Sequence, residues 1–372
     1  MSNIAYKYRI YPDLSQVTLI YKTFGCCRKI WNCMYADREE YYKLHHTALQ
    51  VTPAQYKNNL PYLKEVDSSA LANVQMNLNT AYQRFFTHKS KRPKFKSKKH
   101  TKRSYTTNLT NNNIIVGPDY IKLPKLGKVK AVIHRTAPVD YRLKSATISQ
   151  DSDGTFYCSV LYEYDAVIPT PVLDAHNSIG LDYKSDGLFV DDKNNSCDMP
   201  KYYKTMQDKI VKQQRRLAKK QGSHKGETKS NNWIKQQHVV NKLYCKAKRQ
   251  RKDFLHKRST EITNQYDMIF VENLDLQQIS NKNNPLKLGK PTMDNGYGMF
   301  CKMLAYKAER TGKMFIKVDK YYPSSQLCST CGYQNQAVKN LKIRKWACPV
   351  CGTEHDRDHN AAINIKNEGI KL

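Results

Sequence analysis

The sequence predicts a multidomain α/β protein with a small metal-binding insertion near its C-terminus. Three observations predict it. Strand-like and helix-like runs alternate through the second half of the chain. Two Cys-x-x-Cys knuckles interrupt that alternation. The proline-marked stretch VIPTPVLDAHN sets it apart from a first half in which a long helical segment is flanked by strands.

In chain order, IAYKYRIYP alternates and is rich in Tyr and Ile, so it reads as a strand stopped by Pro12, which has no N–H to give a ladder. From Ser15 to about Thr87 the pattern turns helical. Phe24, Cys27, Ile30, Trp31 and Met34 form one apolar stripe, and Leu71, Val74, Met76, Leu78 and Phe85 form a second. Both stripes read as core. Short strands follow at 113–116, 128–135 and 145–164. The last is a hairpin turning at residues 152–154, where Gly154 accepts positive φ.

Beyond the prolines, SIGLDY reads as a short buried strand and DGLFVDD as an alternating one. A basic helical pair is expected over about 203–222 and 231–265, joined by a polar loop. YDMIFVENL reads as a central strand. CKMLAYKAERTGK reads as a helix stopped by Gly312, KMFIKVDKYYP as a strand, and HNAAINIKNEGI as a final helix ending at Gly369.

Composition narrows the function. The 372 residues carry 63 Lys+Arg against 32 Asp+Glu, a net charge of +31, which exceeds what solubility requires and points to a polyanion. No apolar run approaches the roughly 18 residues of a membrane span, and the start MSNIAYKYRIYPD lacks the apolar stretch of a secretory signal. The eleven cysteines therefore read as thiols or metal ligands of an intracellular protein. Residues 89–103 hold nine Lys/Arg and no acid, and residues 201–258 hold nineteen against Asp208, Glu227 and Asp253; together they supply +25 of the +31. Phe95 and Tyr105 beside the first run suit base stacking. Lys212, Arg215, Arg216 and Lys219 recur on successive helical turns of the second, as a row that tracks phosphates would; Arg251 and Lys252 belong to the same basic stretch.

Cys328-x-x-Cys331, sixteen residues, then Cys348-x-x-Cys351 has the spacing of a four-thiolate Zn2+ site. Gly332 and Gly352 follow the knuckles and permit the tight turn each needs. Four protein ligands leave no position for water, so this zinc holds a fold rather than catalysing. With that sphere full, His355 and His359 are not expected as ligands.

Among the acids, Asp182 ends the apolar run SIGLDY, Glu272 follows MIFV, and Asp358 opens the last helix. Acids at the ends of adjacent strands and a facing helix can converge, and three carboxylates suit a pair of Mg2+ or Mn2+ ions that would activate water and stabilise a leaving oxygen. With 32 acids in the chain, spacing alone leaves the alternative of satisfied surface acids open. No phosphate-binding loop G-x4-G-K-[ST] is present, and no His-x-His pair supports a tyrosine nickase.

Several motifs in one order make the chain resemble the TnpB/OrfB family encoded by insertion sequences: YKYRIYPDLSQ, FGCCRKIWN, RPKFKSKK, IGLDY, RQRKDFLHKRST, VENLDLQ, MDNGYGMF, YYPSSQLCSTCG and CPVCGTEHDRDHNAAINI. The resemblance covers nearly the whole chain. It implies an RNA-guided DNA endonuclease with an RNase H-like (RuvC-like) nuclease domain, related to compact type V CRISPR effectors. The triad it implies is Asp182, Glu272 and Asp358. Asp356 rivals Asp358 for the third place, and the family pattern Asp-x-Asn-Ala-Ala favours Asp358. IGLDYKSDGLFVDD departs from the commoner Gly-Ile-Asp-Leu-Gly form.

The same resemblance implies a β-barrel wedge from residues 1–14 and 105–168, a helical recognition lobe at 15–104, a nuclease domain at 176–327 and 352–372, and a zinc ribbon at 328–351. The implied partners are a guide RNA from the transposon end and double-stranded target DNA beside a short adjacent motif, with Arg28, Lys29, Lys94, Phe95 and Lys96 as further nucleic-acid contacts. It also implies a monomer in the bacterial cytoplasm, associated with the nucleoid. A nuclease-inactive RNA-guided repressor and a transposase or accessory DNA-binding protein are the competing readings; the presence of all three acids favours cleavage. Residues 106–127 and 277–296 carry no reading beyond the family match.

Overall fold

In a computed structural model, residues 2–99, 101–165, 174–224, 226–279, 281, 294 and 296–372 are described. The chain divides into two compact units, Met1–Ala166 and Val167–Leu372. The proline-marked segment 167–173, expected as the boundary, lies outside the described residues.

The first unit is a seven-stranded antiparallel sheet with two helices. β1 (Ser2–Tyr11) buries Tyr6, Tyr8 and Ile10 at every second position, as a half-buried strand must. α1 (Leu14–His45) starts on a capping box in which the Asp13 carboxylate accepts from Gln16 N–H at 2.9 Å and the Gln16 side chain accepts from Asp13 N–H at 3.1 Å. Its stripe Phe24, Cys27, Ile30, Trp31 and Met34 is buried as expected. Residues 46–67 break the helical run with two single-turn 3-10 segments before α2 (Ser68–Phe86). Leu71, Val74 and Leu78 of α2 are buried, but Met76 is 59% exposed: it stands two residues from Val74 and Leu78, on the opposite side of a helix with 3.6 residues per turn.

The strands β2 (Ser104–Asn108), β3 (Ile115–Val116), β4 (Tyr120–Leu123), β5 (Gly127–Val132), β6 (Arg142–Gln150) and β7 (Phe156–Tyr164) complete the sheet in the order β2-β6-β7-β1-β5-β4-β3. β2 and β3 are the outer strands of this order and do not pair with each other among the described residues. The β6–β7 hairpin turns as expected, with Gly154 at φ 85°.

The second unit is built on a mixed sheet in the order β10-β9-β8-β11-β12, formed by β8 (Ser178–Tyr183), β9 (Phe189–Asp191), β10 (Ser196–Cys197), β11 (Met268–Glu272) and β12 (Met314–Val318). β8, β11 and β12 are parallel, and β9 and β10 extend the sheet antiparallel. α3 (Tyr202–Ala218) and α4 (Asn231–Gln265) form a pair held by Gln236 Nε2 donating to the Gln213 carbonyl (3.2 Å) and by Gln214 Nε2 donating to Tyr244 OH (3.0 Å). α5 (Tyr297–Thr311) stops at Gly312, whose φ of 71° is the left-handed exit that glycine tolerates. Ile179, Leu181, Ile269 and Val271 share a core with Leu255 and Ile262 of α4 and with Phe300 and Leu304 of α5.

α6 (Arg357–Lys371) covers the opposite sheet face, where Met268, Phe270, Val318 and Ile365 form a second core. It runs past Gly369, so that residue is not the expected stop. A Cβ there would collide with the Phe270 ring, and glycine is what lets the helix lie flat on the strand. Before α6, residues 328–356 form a small module around Cys328, Val338, Trp346 and Cys348, closed by the hairpin β13 (Lys345–Ala347) and β14 (Glu354–Asp356). Among the described residues no helix is long and apolar enough to cross a membrane.

Candidate functional site

Sheet register places the first two acids. Val271 pairs with Leu181 in the parallel β11–β8 ladder, so Glu272 and Asp182, one residue on, end adjacent strands on one face. The carboxyl ends of parallel strands are where open α/β sheets present their ligands. Gly180 shares that face with Asp182, and α6 rests on it: a Cβ on Gly180 would collide with the Ala362 carbonyl and stand 2.9 Å from Lys366 N. The helix passes from β8 to β11, with Ala362 over Gly180 and Gly369 over Phe270. Asp358 lies one turn before Ala362, near enough for its charge to act on Asp182.

The electrostatics report the same convergence. Burial, and then the negative charges of Glu272 and Asp358, push the Asp182 carboxyl well above the ordinary carboxylate range; the Arg357 guanidinium opposes the shift. Burial also raises Glu272, again against Arg357. Asp356, the rival, is occupied as the N-cap of α6, accepting from Asp358 N–H and His359 N–H at 3.1 Å. Asp358 pairs with Arg344, whose Nη1 lies 3.0 Å from Oδ1. Arg357 is buried; Nη2 donates to Ser325 Oγ at 3.4 Å and Nη1 has no hydrogen-bond partner.

Three carboxylates from three elements suit hard divalent cations that take oxygen ligands. Among the described residues they do not gather within 4.8 Å of one another as the four thiolates do.

The four thiolates form the second centre. Cys328, Cys331, Cys348 and Cys351 bring their sulfurs within 4.8 Å of one another. Cys328 and Cys351 are 3.6 Å apart, and Cys331 and Cys348 3.5 Å. A tetrahedron with Zn–S bonds of ~2.3 Å has edges of about 3.8 Å, so the set fits zinc. His355 is no fifth ligand of this set: its Nε2 sits 3.0 Å from Cys328 Sγ, placed to donate to a thiolate, and its ring packs on Trp346. The first knuckle is clamped to α6. Asn360 accepts from Ser329 N–H (3.0 Å) and donates to the Leu327 carbonyl (2.6 Å), while Asn364 donates to the carbonyls of Ser324 (2.8 Å) and Leu327 (2.7 Å).

The expected nucleic-acid contacts separate into groups. Arg28, Phe95 and Lys96 line a groove of about 1010 Å³ between α1, α2 and residues 95–106, together with Asn73, Asn77, Lys98, Lys102 and Arg103. Phe95 is 63% exposed, braced edge-on against Tyr35. The segment is pinned by Trp31 Nε1 donating to the Lys94 carbonyl (3.0 Å) and by Asn32 bonding both backbone groups of Lys96. Lys96 Nζ lies over the Trp31 ring, 3.4 Å from its centre. Lys29 and Lys94 are exposed but do not line the groove. Tyr105, expected to stack on a base, is buried edge-on against Phe24 and is core. Lys212, Arg215, Arg216 and Lys219 share one exposed face of α3, as their spacing predicts. Lys252 is exposed, whereas Arg251 turns inward to Asp294, 3.5 Å from its carboxylate.

Arg344, Arg357, Asn360 and Asn364, which surround the acids and the first knuckle, carry no mark of that place in the sequence. Basic residues are common in this chain, and an asparagine repeat in a helix does not by itself announce a clamp.

Three family models match: a helix-turn-helix domain of OrfB from IS605-type elements at residues 1–47, the "Probable transposase" OrfB_IS605 domain at 159–283, and the TNB domain of Cas12f1-like proteins at 297–365. Residues 2–45 here form one strand and one unbroken helix rather than a helix-turn-helix. A protein of Streptomyces pristinaespiralis is 29% identical over 98% of this chain and 89% of its own length, and InsQ of Escherichia coli K12 is 26% identical over 98% and 92%. Both are named "Putative RNA-guided DNA endonuclease". Among solved structures, the protein of a Cas12f1-sgRNA-target DNA complex shares the fold, with a TM-score of 0.57 at 13% identity over 98% of this chain and 99% of that one. Along nearly its whole length the chain is thus similar to proteins of the TnpB/OrfB kind.

Proposed function

We propose that this protein is an RNA-guided DNA endonuclease of a transposable element, and that Asp182, Glu272 and Asp358 are its catalytic carboxylates. The convergence of these acids from two strand ends and a helix N-terminus, in a chain of net charge +31, carries the reading. The three carboxylates would hold Mg2+ or Mn2+, which supplies an activated water and stabilises the leaving oxygen of a phosphodiester. The chain's own part is to hold the acids on one rigid frame of two strands and a helix. Zn2+ on the four cysteines would fix the ribbon, and through Asn360 and Asn364 the start of α6.

The basic face of α3 and the groove beside Phe95 suit a grip on guide RNA, heteroduplex and target DNA. Base pairing supplies the sequence reading, so contacts to phosphate and shape suffice. The first unit corresponds in this reading to wedge and recognition lobe, and the second to a RuvC-like domain with its ribbon. The protein works as a bacterial cytoplasmic monomer at the nucleoid, with an RNA derived from the transposon end.

The test is to express the chain with its flanking DNA, sequence the RNA that co-purifies, and assay Mg2+-dependent cutting of matched target. A discrete RNA and cutting abolished by Asp358→Asn, with Asp356→Asn retaining it, support the reading, because Asn caps a helix about as well as Asp. Random cellular RNA, or cutting that survives Asp358→Asn, overturns it. Target binding without cutting by the unaltered protein would indicate an RNA-guided repressor instead.

A further inference from the structure

The ribbon reaches the carboxylate centre through one side chain. Arg344, one residue before β13, directs Nη1 at both oxygens of Asp358, 3.0 Å from Oδ1 and 3.3 Å from Oδ2. The backbone places it there: Lys345 pairs with Asp356 in the ribbon hairpin, and Arg357 N–H donates to the Arg344 carbonyl at 2.8 Å. Two arginines thus face the acids, and they differ. Arg357 is 8% exposed and enclosed, whereas the Arg344 side chain is 62% exposed and free to withdraw into solvent. The lone pairs that Arg344 engages on Asp358 are those a divalent cation needs.

We propose that Arg344 is a positioning residue that holds Asp358 in the metal-free centre and is displaced from it when a divalent ion binds. Ion and guanidinium then compete for one carboxylate, and the zinc-held ribbon helps set how readily the centre loads. The inference rests on the reading of Asp182, Glu272 and Asp358 as the metal-binding carboxylates. An exposed ion pair is weak, so the competition is modest.

The test uses the full chain with its co-purified RNA and Fe2+ with ascorbate, which breaks the polypeptide beside bound iron. Scission near residues 182, 272 and 358 is followed against Fe2+ concentration, with Mg2+ as competitor. For Arg344→Gln the half-maximal Fe2+ concentration should fall about two- to fivefold, and Arg344→Lys should lie between the variant and the unaltered protein. General damage to the site would raise that concentration, so the direction separates positioning from structural loss. An unchanged or raised value in a folded Arg344→Gln protein overturns the proposal. Asp358→Asn separates the two readings. If it leaves cutting and local scission intact, the carboxylate assignment fails and this inference with it. If it abolishes both while Arg344→Gln changes nothing, only this inference fails.

Discussion

Gly180 of β8 lies directly beneath the Ala362 carbonyl of α6, with no room between them for a Cβ. The contact sets the height of the helix above the sheet, and so the position of Asp358 over Asp182. Gly180→Ala should push α6 outward, destabilise the second unit by about 1–3 kcal/mol and reduce cleavage at least tenfold. Thermal melts and single-turnover cutting check this; an unchanged cutting rate would show that the contact is not needed.

Asp182 and Glu272 are raised by burial, so their ionised forms oppose folding. The sign follows: the native acid binds its proton more tightly than the unfolded chain does. Its contribution is fully present below the ordinary carboxylate pKa and is lost as pH rises through the raised native value. Asp182→Asn removes that loss. Without divalent ions at pH 8, the variant should melt higher than the unaltered protein by about 2–4 °C, with the gap closing at pH 4. It should also be unable to cut. Melting curves at the two pH values test it, and an equal or lower melting point at pH 8 counts against it.

Removing the metal of the four cysteines should act at a distance. Asn360 and Asn364 tie the first knuckle to α6, so a collapsed knuckle frees the helix start that carries Asp358. Cys348→Ser should lose one zinc per chain and reduce cutting by ten- to a hundredfold, while RNA binding persists. Metal analysis by atomic absorption and an RNA filter-binding assay report the two halves separately.

The exposed row on α3 should bind through phosphates. Replacing Lys212, Arg215 and Arg216 with Gln should flatten the plot of log affinity against log salt by up to ~2–3, at about 0.7–0.9 per lost contact. Phe95→Ala should lower affinity and leave that slope unchanged, because it removes stacking and no charge. Equal slopes for the triple variant and the unaltered protein would remove α3 from the interface.

Much of this was legible locally. The cysteine spacing, the buried stripe from Phe24 to Met34 and the left-handed stop at Gly312 follow from short-range geometry, and each stands as expected. The misses fall where tertiary contacts override local pattern. Tyr105 sits beside a basic run, yet a neighbouring helix buries it against Phe24. Gly369 has the identity of a helix stop but serves as a seat for Phe270.

The sequence by itself determined the net charge of +31, the paired spacing of the four cysteines and the three acids worth suspecting. Composition, ligand spacing and strand ends are properties of the chain read in order. Only the tertiary structure decided that Asp356 caps a helix while the charge of Asp358 acts on Asp182, that two asparagines clamp ribbon to helix, and that Arg344 pairs with Asp358. Those relations join residues far apart in the chain or choose between neighbours of equal chemistry. Burial and direction, which exist only once the chain has folded, make the choice.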